Sequence, residues 1–157
     1  MIGSVQAASH RVQGGTRSGI DCVYLTSFGA EYSPLALISQ YSGIRLRRAA
    51  SLEEADFLLT VTEATTFVSD VTFPDGDWRD ALAMAAALHP SAAALIAADP
   101  VDRAFLKGAE ALWVCGIIWK PFDFIKAIDA IRTADQASRD RTAWLAETVG
   151  AGATLRR

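Results

Sequence analysis

Two stretches of this 157-residue chain put a charged side chain where an apolar run ends. Thr66-Phe67-Val68-Ser69 leads to Asp70, and the loop beyond it carries Pro74 and Gly76. Further along, Val114-Cys115-Gly116-Ile117-Ile118-Trp119 leads to Lys120, Pro121 and Phe122. Both runs read as buried strands, and in an open α/β sheet the C-terminal strand ends are where ligands and chemistry sit. One tip therefore offers an anion and the other a cation. A lone loop Asp commonly caps a turn, and a lone Lys commonly lays its stem along the surface. What singles these two out is their placement at two strand tips, each followed by a Pro.

The elements that must position them alternate along the chain. A strand over Asp21–Thr26 is followed by Ser33-Pro34, which predicts a helix N-terminus with Pro in the first turn. That helix would bury Leu35, Ile38 and Tyr41 and stop near Gly43. Ile44–Ala49 alternates Ile44 and Leu46 with Arg45 and Arg47, the pattern of an exposed edge strand. Ser51-Leu52-Glu53-Glu54 is a capping box opening a second helix, with Leu52, Ala55, Leu58 or Leu59, and Thr62 inward. A strand over Thr66–Asp70, an Ala-rich helix over Trp78–Leu88 ended by His89-Pro90, and a strand over Ala93–Ala98 follow. A fourth helix is expected over Asp102–Leu112, weakened by Gly108. The last strand leads through Lys120-Pro121 to a helix from about Asp123, presenting Phe124 or Ile125, Ile128 and Ile131.

Five βα units of this kind predict an α/β protein: a flavodoxin-like (βα)5 doubly wound parallel sheet, strand order 2-1-3-4-5. Residues 1–19 read as a flexible leader, 20–132 as the domain and 133–157 as a helical C-terminal extension and tail. The leader holds His10, Arg11 and Arg17, and no acid precedes Asp21.

Composition narrows the function. Hydrophobic residues make up 51% and charged residues 21%, with a formal net charge of −3, which suits a folded domain and argues against nucleic-acid binding through overall charge. No stretch approaches the roughly 20 apolar residues of a membrane span, and the start lacks the apolar region of a secretory signal. Cys22 and Cys115 both fall in strands, where they read as small buried hydrophobes of a reducing cytoplasm. His10 and His89 carry no metal-ligand or catalytic pattern.

The pair Ser69-Asp70 through Pro74-Asp75-Gly76 and Trp119-Lys120-Pro121-Phe122-Asp123, joined by the right number of units, resembles the receiver domain of two-component response regulators. The resemblance covers about residues 20–132. It implies Asp70 as phosphoacceptor and Lys120 as phosphate clamp, with a prolyl bond commonly cis in the family. A carboxylate attacking phosphorus is repelled by the phosphoryl oxygens, so a metal and the Lys must offset their charge.

Two features of the family pattern are missing. The acidic pair that would hold Mg²⁺ falls on Thr26 and Ser27, and the strand-four hydroxyl falls on Ala98. The switching aromatic, three positions before the Lys, is Ile117. Neutral hydroxyls do not replace two carboxylates for Mg²⁺. Asp70 against Lys120 sums near zero, so no metal is expected unless Glu31, Asp75, Asp77 or Asp99 reach back to rescue the site, with Asp70 and the Thr72 carbonyl as its only other ligands. The expectation is a stand-alone, degenerate pseudo-receiver in phosphorelay signal transduction, not an enzyme, cytoplasmic, acting by protein contact without a cofactor. Its partner would be a histidine kinase or a separate output protein, with a homodimer formed through the helix 4–strand 5–helix 5 face. The alternatives are a true receiver phosphorylated on Asp70 by a histidine kinase, and a small flavodoxin-like enzyme or cofactor binder. The last is weakened by the absence of a Gly-rich loop in Thr26-Ser27-Phe28-Gly29-Ala30.

Overall fold

The apolar runs of the sequence become strands of one sheet because only a sheet covered on both faces can bury them whole. A computed structural model describes residues 19–112 and 114–155. In it β1 (Ile20–Leu25), β2 (Ile44–Ala49), β3 (Thr66–Asp70), β6 (Ala93–Ala98) and β7 (Val114–Trp119) form a five-stranded parallel sheet in the order β2-β1-β3-β6-β7. Between β3 and β6 the chain inserts a small antiparallel ribbon, β4 (Thr72–Phe73) with β5 (Gly76–Asp77). Leaving the ribbon aside, the order is the expected 2-1-3-4-5. Pro74-Asp75 turns the ribbon where the sequence suggested an open loop.

The central strands β3 and β6 are buried at every position, and both edges are less so. At one edge β2 alternates as expected, with Ile44 inside and Arg45 and Arg47 outside on Asp21 (2.9 and 3.1 Å). At the other edge only Ile118 of β7 is buried, and Cys115 is exposed, against the expectation of a buried thiol. An edge strand has a neighbour on one side only, so its alternate residues meet solvent.

Helices α2 (Leu52–Thr62) and α3 (Trp78–Leu88) cover one face, setting Ala55, Leu59, Trp78, Ala81, Leu82 and Ala85 against Val23, Leu25, Phe67 and Ile96. Helices α1 (Gly29–Gln40) and α4 (Phe124–Leu155) cover the other, setting Leu35, Ala127, Ile131 and Ala134 against Cys22, Tyr24, Val68 and Leu95. Each large apolar side chain so buried contributes on the order of 1.5–3 kcal/mol. Among the described residues, no helix is long and apolar enough to cross a membrane.

Several local expectations are corrected. Helix α1 begins at Gly29 and Pro34 lies inside it, so Ser33 is no N-cap; its hydroxyl donates to the Gly29 carbonyl (3.1 Å). The helix tolerates Pro34 because that position and Ala30, whose carbonyl loses its partner, both face solvent. Tyr41 caps the helix exposed rather than entering the core. Ser51 caps α2 as expected, but Glu54 accepts from the Ala50 amide (2.6 Å), one residue before the cap.

The expected fourth helix is replaced by two 3₁₀ segments, Pro100–Leu106 and Ala109–Leu112. Lys107 turns extended and Gly108 takes φ +84°, a break that an α-helix cannot span. Phe124 and Ile125 stay exposed while Ile128 and Ile131 are buried. Helix α4 continues past Arg132 for 32 residues in all, about 48 Å. It stays attached to the domain as far as Ser138 and Arg141, which donate to the carbonyls of Ser91 and Pro90 (both 2.6 Å). Residues 142–149 are exposed. Residues 1–18 of the 1–19 leader, and Trp113, lie outside the described residues.

Candidate functional site

The parallel register brings the C-terminal ends of β1, β3, β6 and β7 to one rim. Asp70 ends β3 and pairs with Ala97 of β6, so the strand delivers its carboxylate to the rim while leaving it only 4% exposed. Lys120 leaves β7 through a backbone bond from its N–H to the Ala98 carbonyl (2.8 Å), and its peptide bond to Pro121 is cis. The two side chains meet, Lys120 Nζ standing 3.1 Å from Asp70 Oδ1. The sequence placed this pair correctly.

Two further groups close on it. Glu31, in the first turn of α1, puts Oε1 2.6 Å from the same Nζ. Tyr24, buried in β1, donates its hydroxyl to Asp70 Oδ1 at 2.6 Å. Burial works against the Lys120 ammonium, but the hydrogen bond to Glu31 and the charge and hydrogen bond of Asp70 outweigh it. They hold its pKa above the ordinary lysine value. Burial first, and then the charge and hydrogen bond of Asp70, push the Tyr24 phenol far above its usual range. The ammonium therefore stays charged and the phenol protonated across the ordinary working range of pH.

The rim next to this cluster is held by a residue the sequence reading passed over. Arg48, at the end of β2, donates from Nε to the Thr26 carbonyl (3.1 Å) and from Nη2 to the Ser27 carbonyl (2.9 Å). A signal for it was present: Ile44, Leu46 and Arg48 share one parity, so Arg48 falls on the inward side of the edge strand. Thr26 is fully buried, and its Oγ1 accepts from the Phe28 amide (3.3 Å) at the start of α1. Its hydroxyl is thus turned to the loop backbone. Ser27 is half-buried. Ala98, 1% exposed, pairs with Trp119, and Ile117 packs on the α2/α3 core.

Above the cluster opens a hollow of about 790 Å³, lined by Asp70, Glu31, Lys120, Thr72 and the rim aromatics Phe28 and Phe105 among others. Its carboxylates are Glu31, Asp70, Asp77, Asp99 and Asp102, against Lys120 and Arg79, a formal balance of −3. Asp70 and Lys120 alone still sum formally to zero, and the negative balance comes from the acids around them. Winding the loops over the strand ends collects acids that lie far apart in the chain.

Most of these acids already have partners. Asp77 caps α3, accepting from the Arg79 and Asp80 amides (2.9 and 3.3 Å), and Asp102 accepts from the Asp99 amide (3.1 Å). Asp75 points elsewhere, to the Leu52 amide at the start of α2 (3.0 Å). Of the four acids considered for rescue, only Glu31 reaches the pair, and its contact is with the ammonium. Among the described residues, no three Asp, Glu, His or Cys side chains form a metal-ligand cluster. The groups that could take a cation are Asp70 through Oδ2 and the carboxylates around the hollow.

No family model matches the chain, and no curated protein sequence matches it. Solved structures do. The chain is similar to a response regulator receiver domain protein from Clostridium thermocellum, with a TM-score of 0.69 and 16% identity over 80% of this chain and 98% of that one. It is also similar to the signal receiver domain of an HD domain-containing protein from Pseudomonas fluorescens Pf-5, with a TM-score of 0.71 and 18% identity over 80% and 93%. A response regulator receiver protein from Pseudomonas putida gives a TM-score of 0.65 and 16% identity over 73% and 96%. The chain has the fold of response regulator receiver domains.

Proposed function

We propose that this chain is an atypical signalling receiver, a pseudo-receiver that works through protein contact with weak or no Mg²⁺-dependent phosphorylation. One observation carries the reading: the Lys120 ammonium is already held by two carboxylates of its own chain, at 2.6 and 3.1 Å. Neutral Thr26 and Ser27 stand where the resemblance puts the metal-binding acids. A phosphoryl group arriving at Asp70 would have to displace Glu31 from Lys120. It would do so without a divalent ion fixed by an acidic pair to offset its charge. Losing metal stabilisation costs several kcal/mol of barrier, and each 1.4 kcal/mol is about tenfold in rate. We assign the chain no enzymatic role and no resident cofactor. Its partner is a protein, a histidine kinase or a separate output protein.

A second reading, phosphorylation of Asp70 by a histidine kinase, is favoured by the open hollow above the Asp70–Lys120 pair and by the acids around it. Intact-mass measurement after incubation with Mg²⁺ and acetyl phosphate separates the two. Little labelling is expected. Stoichiometric, Mg²⁺-dependent labelling that disappears in Asp70→Asn would overturn the contact reading and establish the second.

A proposed homodimer would use the surface of the 3₁₀ segments, β7 and α4, where Phe105 and Trp144 are exposed. A monomeric mass by light scattering at high protein concentration would exclude it.

A further inference from the structure

Neither the strand-tip pair nor the missing acids account for the phenol against Asp70. We infer that Tyr24 is a positioning residue that masks Asp70 as a nucleophile, an inference that rests on Asp70 being the acceptor position of the site. Tyr24 lies in the middle of β1, paired with Val68 of β3 and Arg48 of β2. Its side chain runs along the α1/α4 face and ends on Oδ1, the same oxygen that Lys120 contacts. At 2.6 Å this is a short, charge-assisted hydrogen bond. The ring has no exposed surface and meets Phe122 edge-on, centroids 6.2 Å apart, so the hydroxyl cannot swing away without moving the core. Burial and the neighbouring Asp70 charge keep the phenol protonated, and so a donor, throughout ordinary pH.

The chemical consequence follows from the lone pairs. Oδ1 receives two donors, an ammonium and a phenol, while Oδ2 has no protein donor among the described residues. When an acyl phosphate transfers its phosphoryl group to a carboxylate, an oxygen lone pair forms the new O–P bond. The P–O bond to the acyl group breaks, and acetate leaves with the electron pair; no proton need move. Both donors stabilise the carboxylate charge before attack and withhold it from phosphorus. Lys120 can follow the charge onto the phosphoryl oxygens. Tyr24, locked in the core below, cannot, so it stabilises only the ground state. A tyrosine here is a brake built into the first strand.

The test is the initial rate of labelling by acetyl phosphate, read by intact mass with and without Mg²⁺, in wild type, Tyr24→Phe and Tyr24→Phe/Asp70→Asn. Thermal melts identify which variants are folded at the assay temperature. Tyr24→Phe removes one oxygen and keeps the ring, and we expect it to label about tenfold faster than wild type. The double variant should lose that gain, and structural damage alone would not produce one. Site-specific 3-fluorotyrosine at position 24, a stronger donor of the same shape, should label more slowly than wild type. It keeps the inference testable if Tyr24→Phe fails to fold. A folded Tyr24→Phe at or below the wild-type rate would overturn the inference, as would a fluorotyrosine protein no slower than wild type. The contact reading is judged separately, by the absolute extent of wild-type labelling.

Discussion

The two ends of the sheet hold the same kinds of charged side chain and use them differently. At the N-terminal end Asp21 meets Arg45 and Arg47 across the edge, with side chains 24%, 54% and 42% exposed. At the C-terminal end Asp70 and Lys120 meet with side chains 5% and 13% exposed, and Tyr24 and Glu31 add two more bonds. The first is a solvated surface pair, worth at most about 1 kcal/mol and screened by salt. The second is a buried network in which every removal leaves a desolvated partner behind. The lesson is that formal charge says little until burial is known.

That contrast can be broken most severely at Lys120. Lys120→Met leaves Asp70 buried with its phenol but without its cation, and should cost about 3 kcal/mol of unfolding free energy by urea denaturation. A cost below 1 kcal/mol would place the site in the same class as the surface pair. Next in size is Arg48→Gln, which removes two bonds from a half-buried guanidinium to loop carbonyls. A loss of about 1–2 kcal/mol is expected, with faster amide exchange in residues 26–29. Smallest is Asp21→Asn, expected to cost less than about 1 kcal/mol, and nothing measurable in 1 M salt.

Titration sharpens the same comparison because the two ends shift in opposite directions. Lys120 is raised above 10.5 and Tyr24 above 10.0, so their stabilisation is fully present below those values. It is lost as pH rises, through alkaline unfolding that Lys120→Met and Tyr24→Phe should each reduce. Asp21 is lowered from 3.8, chiefly by its hydrogen bond to Arg45. Its stabilisation is present above that value and lost as pH falls through the lowered pKa, a small acid limb absent in Asp21→Asn. Urea midpoints across pH check both limbs.

The strands were legible because burial on both faces demands continuous apolar runs, and Thr66–Asp70 and Ala93–Ala98 match their predicted limits. Trp78–Leu88 was legible for a related reason, since an Ala-rich stretch ended by His89-Pro90 is helical by propensity alone. The start of α1 was not. Ser33-Pro34 is a sound local signal, and it lost because Tyr32, packed on the core beside Leu35 with its hydroxyl donating to the Leu46 carbonyl (3.1 Å), holds the turn before Pro34 in the helix, which starts at Gly29. The segment after β6 failed differently: the Gly108 noted as a weakness became a complete break, and the helix dissolved into two 3₁₀ turns.

From the residues alone came the alternation that makes a doubly wound sheet, and the two tips that carry Asp70 and Lys120. Both follow from local chemistry, the period of apolar residues and the side chain that ends each run. Which groups close on those tips, Tyr24 and Glu31 on the pair and Arg48 on the rim beside it, was decided by the tertiary structure. Each comes from a different strand or helix, and only the parallel register with α1 laid across it brings Tyr24 and Glu31 onto the Asp70–Lys120 pair and Arg48 onto the neighbouring Thr26 and Ser27 carbonyls.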